Sequence, residues 1–183
     1  NVTNMSNAFD HFSTSSLDLS GWDISKVKSM SSMFYYSKIT NLSMFNNIPS
    51  SLTTLETFFG NCSSEYIYGI KDWDVSNVKY FGQLFDSCSK LKEIDISGWD
   101  TSNGTSFQTS IYPFVYNCPD LERVIGAIDM SNNNGRIQYS SNYALTKGCK
   151  KLKELRLVNI YKNKPVKNEA GYSLYLQDTQ IED

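Results

Sequence analysis

"WDISKVKSMSSMF" (residues 22–34) returns 51 residues later as "WDVSNVKYFGQLF" (residues 73–85). Trp-Asp, Ser, Val and the closing Phe keep their places while most other positions change. Repetition at selected positions is what a stacked scaffold requires. Trp22, Trp73 and Trp99 lie 51 and 26 residues apart, one period near 26 with one Trp omitted. Cys62, Cys88, Cys118 and Cys149 lie 26, 30 and 31 apart and form a second ruler. Each follows an apolar pair or its remnant, and Ser37 takes the cysteine's place after Met33-Phe34.

Within each unit two periodicities alternate. In "CSKLKEIDIS" from Cys88 and "CKKLKELRLV" from Cys149, apolar residues stand third, sixth and eighth after the cysteine. The last two alternate with polar residues, the period of a half-buried strand. Before the cysteine, Val27, Met30, Met33 and Phe34 fall at i, i+3, i+6 and i+7, which predicts a short helical turn. The unit therefore reads as helical turn, corner, short strand and a Ser-Gly-Trp-Asp turn. Such a unit cannot bury its apolar side alone, and units of ~20–29 residues pairing strand with helix are the signature of leucine-rich-repeat solenoids.

The expected fold is thus an α/β repeat: a leucine-rich-repeat solenoid with short parallel strands and short helical turns. Residues 1–160 hold about six units, of which the second ("NNIPSSLTTLETFFGNC") and the fifth ("SNNNGRIQYSSNYALTKGC") are irregular. "NVTNMSNAF" at residue 1 overlays "KVKSMSSMF" without its Trp-Asp opening, so an N-terminally truncated first unit is expected. Residues 161–183 read as a loop, "YKNKPVKNEAG", and a capping strand, "YSLYLQD".

The composite pattern, W-D-x-S-x-V-x-x-M-x-x-M-F-x-x-C-x-x-L-x-x-L-D-L-S-G-W-D, strongly resembles the repeat of BspA-like leucine-rich repeat surface proteins. The resemblance covers roughly residues 1–160. It implies a bacterial surface or phage-derived setting, a solenoid, and adhesion or binding of host and matrix proteins. It implies no catalytic residues.

Totals narrow the function classes. The 183 residues carry 17 basic and 19 acidic side chains, a net charge of -2, without the dense basic block that phosphate binding draws on. Nucleic acid is therefore not an expected partner. The nearest basic cluster, Lys147 to Lys153, reads as a solvated face. No run of about eighteen apolar residues is present, so no membrane insertion by this segment is expected. The richness in Ser, Asn and Tyr suits an exposed, extracellular or cell-surface binding protein.

Each residue type capable of chemistry also has a repeat-locked explanation. Zinc sites pair Cys or His at short spacing, whereas these cysteines are one whole unit apart, so a ladder of small buried side chains is expected in preference to a metal site or a disulfide. The tryptophans could stack on sugars, but their fixed place favours turn packing. Asp23, Asp74 and Asp100 begin Asp-x-Ser steps and are expected to cap backbone amides rather than bind calcium. His11 is the only histidine and has no cysteine near it in sequence. A pair of carboxylates for glycoside cleavage is left open, because a sequence does not display their separation. Five Asn-x-Ser/Thr triplets, at Asn1, Asn4, Asn41, Asn61 and Asn103, are expected from composition. No cofactor and no catalytic or metal-binding residue is expected.

Binding is placed on the strand face. Residues flanking the final apolar pair of each strand point away from the core. In register they form one column of Asp18, Asp95, Asp129 and Arg156, and beside it Ser16, Glu93, Ala127 and Glu154. Asp18, Glu93, Asp95, Asp129, Glu154 and Arg156 are the candidate partner-binding residues. The inserted stretch "NGTSFQTSIYPFVYN" (103–117) is a candidate contact loop, presenting Phe107, Tyr112, Phe114 and Tyr116. The functional expectation is a non-enzymatic adhesion module for a protein or glycan on a host or neighbouring cell. A receptor-binding or structural part of a phage particle is the alternative, with a carbohydrate-active enzyme or a passive spacer behind it.

Overall fold

The computed structural model describes residues 2–107, 114–129, 131–132 and 148–158, with backbone only for 154–158. Eight short strands follow one another: β1 (Ser13–Asp18), β2 (Lys38–Ser43), β3 (Tyr66–Tyr68), β4 (Phe85–Asp86), β5 (Glu93–Asp95), β6 (Val115–Tyr116), β7 (Arg123–Asp129) and β8 (Glu154–Val158). All pairings among them are parallel, in the orders β1-β2-β3, β4-β6 and β5-β7-β8. Ser13 lies opposite Lys38, Asn41 opposite Tyr66, and Glu93 opposite Arg123, so a strand's partner is its equivalent one unit later. The amide of Lys92 donates to the carbonyl of Glu65 and bridges β3 to β5.

The inward positions form one continuous apolar core. Leu91, Ile94 and Ile96, at the third, sixth and eighth places after Cys88, are fully buried, as are Ile39, Leu42 and Met44 after Ser37. Phe9, Phe34, Phe59 and Phe85 stack in a column with centroid spacings of 5.3, 5.6 and 5.3 Å, closed edge-on by Phe114 at 5.4 Å. A second column runs Phe45, Trp73, Trp99, at 5.6 and 6.2 Å. The tryptophan missing from the 26-residue ruler is therefore replaced by Phe45, which fills the same slot just before the irregular stretch of the second unit. The indoles of Trp73 and Trp99 donate to the carbonyls of Phe45 and Ile70 at 2.9 and 2.6 Å, satisfying their polar edge inside the core.

The expected helical turns are not what the described residues adopt. One 3-10 turn, Ile70–Asp72, is the single helical element among them. Where Val27 to Phe34 suggest a helix, the chain instead makes four-residue turns in tandem. The amide of Ser37 donates to the carbonyl of Phe34, that of Ala8 to Met5, of Phe12 to Phe9, of Phe58 to Leu55, of Cys62 to Phe59, and of Leu84 to Phe81. The third residue of each turn, Tyr36, Asn7, His11, Thr57, Asn61 or Gln83, is left-handed, with φ between 54° and 58°. That conformation costs a side-chain-bearing residue on the order of 1–2 kcal/mol. It also turns backbone amides outward along the stack: Asn7, His11, Tyr36, Thr57 and Asn61 donate to Ser31, Tyr35, Gly60, Gly82 and Asp86 of the next unit. A helix would spend those amides internally, leaving no bond between neighbouring units at this corner.

The boundary expected at residues 160–161, and the tail 161–183, lie outside the described residues, as does most of the irregular fifth unit.

Candidate binding face and groove

Along each strand the residues flanking a buried apolar position face solvent. In β1, β2 and β3 this aligns Ser16, Asn41 and Tyr66 in one row and Asp18, Ser43 and Tyr68 in the next. Beyond β3, Glu93 stands opposite Arg123, which stands opposite Glu154. The columns drawn from sequence need correction here. Asp95 faces Ile125 rather than Asp129, Asp129 faces Val158, and Arg156 faces Ala127. The register shifts between Arg123 and Ala127 because β7 bulges at Gly126, whose φ is 104°. A Cβ there would lie 2.8 Å from the backbone of Ile96, so a side chain would collide with β5's neighbouring turn.

Three of the candidate carboxylates are occupied with turning the chain. Asp18, Asp95 and Asp129 each accept from the amide two residues on, Ser20, Ser97 and Ser131, at 2.9, 3.0 and 2.8 Å. Asp23, Asp74 and Asp100 do the same for Ser25, Ser76 and Ser102. The bond from Ser20 holds Asp18 below the ordinary aspartate range, and those from Ser25 and Ser76 do so for Asp23 and Asp74. These aspartates are Asx turns, and their recurrence follows from the recurrence of the turn.

Glu93, by contrast, belongs to a groove. A cavity of about 510 Å³ opens on the strand face and is lined by Tyr66, Lys92, Glu93, Glu122, Arg123 and Lys153. Its charges alternate in sign from unit to unit. Lys92 meets Glu65 at 2.7 Å, Arg123 meets Glu93 at 2.5 Å, Lys153 meets Glu122 at 4.0 Å, and just beside the groove Lys151 meets Asp120 at 2.6 Å. The hydrogen bond between Lys92 and Glu65 holds the Glu65 carboxyl below its usual range and the Lys92 ammonium above its own. The same ammonium lies 5.4 Å from the centre of the Tyr66 ring, and Tyr66 in turn stacks on Tyr68 at 5.9 Å.

Tyr66, Lys92, Glu122, Arg123 and Lys153 were not among the candidates read from sequence. Their signal is present there: "KLKE" after Cys88, "DLER" after Cys118 and "KLKE" after Cys149 reverse sign at three equivalent positions in successive units. Of the candidates, Glu93 enters the groove. For Glu154 and Arg156 the structure describes strand register alone.

The candidate contact loop is corrected in part. Phe107 and Phe114 are buried at 2% and 1% exposure, Phe107 lying flat on Phe81 at 5.1 Å, so neither is presented to a partner. Their large apolar area draws them into the core. Tyr116 is half-buried in β6, opposite Asp86, and Tyr112 lies outside the described residues.

The four thiols are unpaired and buried. Cys62 accepts from Ser37 at 3.2 Å, and Cys88 and Cys118 donate to the carbonyls of Phe59 and Phe85 at 3.1 and 2.9 Å. Burial pushes the Cys88 and Cys118 thiols up, and the hydrogen bond with Cys118 does the same for Cys149, against the thiolate a nucleophile or metal ligand needs. His11 pairs with Asp10 at 2.7 Å and stacks on Tyr36 at the exposed corner. Among the described residues, no three His, Cys, Asp or Glu side chains gather as a metal group, and no helix is long and apolar enough to cross a membrane.

No curated protein and no solved structure matches the chain. The model of one family, described as "Mycoplasma protein of unknown function, DUF285", matches residues 1–64 and again residues 46–134. Overlapping matches are what a repeated unit produces when one model is laid along it twice. With residues 1–134 of 183 covered, the chain belongs to this family.

Proposed function

We propose that this chain is a non-enzymatic binding module, a leucine-rich-repeat solenoid of the BspA-like kind, that holds a protein or glycan partner at a cell surface. The observation that carries the reading is the groove on the strand face, where side chains from four successive units, Tyr66, Glu93, Arg123 and Lys153 among them, line one cavity. Convergence of adjacent units on one concave surface is how repeat proteins recognise partners. The groove's carboxylates support binding rather than glycoside cleavage: Glu93 and Glu122 are each ion-paired with a base of the next unit, the geometry of a structural ladder. The buried thiols point the same way.

The experiment is binding of the fluorescently labelled chain to intact host or neighbouring cells. Reversal of groove charge by Arg123→Glu, in a variant with unchanged circular dichroism, is expected to lower binding. Equal binding by wild type and variant, with Tyr66→Ala also silent, would reject the strand face as the binding surface.

A further inference from the structure

We infer that the groove beside Tyr66 and Tyr68 is a subsite for a neutral oligosaccharide, with the outer face of Tyr68 as its stacking platform. The inference rests on the reading of the strand face as the binding face and names the ligand class. Elsewhere the large aromatics are mostly packed inward in stacked columns, but here two tyrosines two positions apart on β3 point outward, with rings 5.9 Å apart and 17° from parallel. Tyr68 is 51% exposed. Tyr66 is also held by the Lys92 ammonium, 5.4 Å from its ring centre, so the pair is a preset surface rather than two free side chains. A flat aromatic face offers its negative quadrupole to the weakly positive C–H bonds on the apolar side of a pyranose ring.

The polar half of the groove suits hydroxyl groups. Lys92, Arg123 and Lys153 supply donors, and Glu93 and Glu122 supply acceptors. With Glu65, which is paired to Lys92, three cations are balanced by three carboxylates. A balanced ladder makes no net field to attract a polyanion or a polycation. Its planar guanidinium and carboxylates can still meet vicinal hydroxyls two at a time. A peptide adding as a strand would need an open sheet edge. The groove lies instead on the face over β5 and β7, and β7 is paired on both sides. Its volume of about 510 Å³ is within the usual range for small-ligand sites.

The test is an array of neutral, sialylated and sulfated oligosaccharides built from hexose and N-acetylhexosamine, followed by titration of those retained. Neutral oligosaccharides are expected to bind with little dependence on salt. Tyr68→Ala is expected to weaken them on the order of tenfold or more, the loss of one stacking platform, while Tyr68→Phe keeps binding. Tyr80→Ala, which removes another exposed tyrosine, leaves binding unchanged and reports on folding. An array with no glycan retained, retention of anionic glycans alone with steep salt dependence, or indifference to Tyr68→Ala would overturn the inference. If cells still bind through Arg123 while the array stays empty, the ligand class fails and the binding face stands.

Discussion

The guanidinium of Arg123 lies 2.5 Å from the carboxylate of Glu93, the residue directly opposite it on the neighbouring parallel strand. The two come from successive units, and the same reversal of sign recurs from Glu65 to Lys92 and from Asp120 to Lys151. Like charges at one position of adjacent units would face each other about 4.8 Å apart. Alternation removes that repulsion and disfavours any register in which equivalent charges meet.

A double-mutant cycle on Glu93→Gln and Arg123→Gln measures this coupling. Both side chains are partly solvated, so a coupling of about 0.5–1 kcal/mol is expected in low salt, shrinking towards zero in about 1 M salt. Urea denaturation at the two salt concentrations checks it. A coupling that is unfavourable or unaffected by salt would contradict the ladder.

Phe85 sits fully buried between the rings of Phe59 and Phe114. Phe85→Ala is expected to destabilise the chain by ~3–5 kcal/mol, through lost transfer energy and a cavity spanning the stack. A loss under about 1 kcal/mol in chemical denaturation would mean that Phe85 is not a rung of that column.

Trp73 and Trp22 occupy equivalent places with opposite surroundings: 1% and 49% exposed. Trp73→Phe removes the indole donor from the Phe45 carbonyl and is expected to cost about 1–3 kcal/mol. Trp22→Phe should change stability by less than about 0.5 kcal/mol. Thermal melts of the two variants side by side decide the matter, and equal losses would refute the contrast.

Gly126 combines a left-handed backbone with a close approach to Ile96. Gly126→Ala is expected to cost on the order of 1–3 kcal/mol and to disturb the pairing of β7 with β5. Faster amide exchange at Ile96, whose N–H donates to Ile125, would report that local loss; unchanged exchange and stability would argue against the bulge.

Asp18 and Asp23 are held below the ordinary aspartate range by the serine amides, with the serine hydroxyls adding to the shift, and Asp74 by the Ser76 hydroxyl first and the Ser76 amide second. A carboxyl depressed in the folded state contributes stability that is complete above its unfolded value, near pH 4. That contribution is lost as pH falls through the lower folded value. Stability should thus be insensitive to these groups at neutral pH and should decline in acid. Carboxyl carbon shifts followed by NMR titration should place Asp74 below an unstructured reference peptide. Coincident titration curves would contradict the hydrogen bonds.

What the sequence determined by itself is which side chains face inward and where the chain turns. Cys88, Leu91, Ile94 and Ile96 are legible because burial demands an apolar residue at the same place in each unit, and Asp23, Asp74 and Asp100 because a carboxylate two residues before a serine amide closes a turn locally. Tertiary structure alone decided the rest. Apolar residues at i, i+3, i+4 and i+7, as in Leu55, Phe58, Phe59 and Cys62, fit the inner side of two successive four-residue turns as well as they fit a helix. The choice falls to turns because their amides bond the next unit, a partner about 25 residues away that no local pattern displays. Likewise the lateral neighbours of Asp95, Asp129 and Arg156 depend on the bulge at Gly126, and the inward turn of Phe107 and Phe114 depends on the space beside Phe81. Periodicity specifies the depth of a residue, but hydrogen bonds between units specify its neighbours, and a groove is made of neighbours.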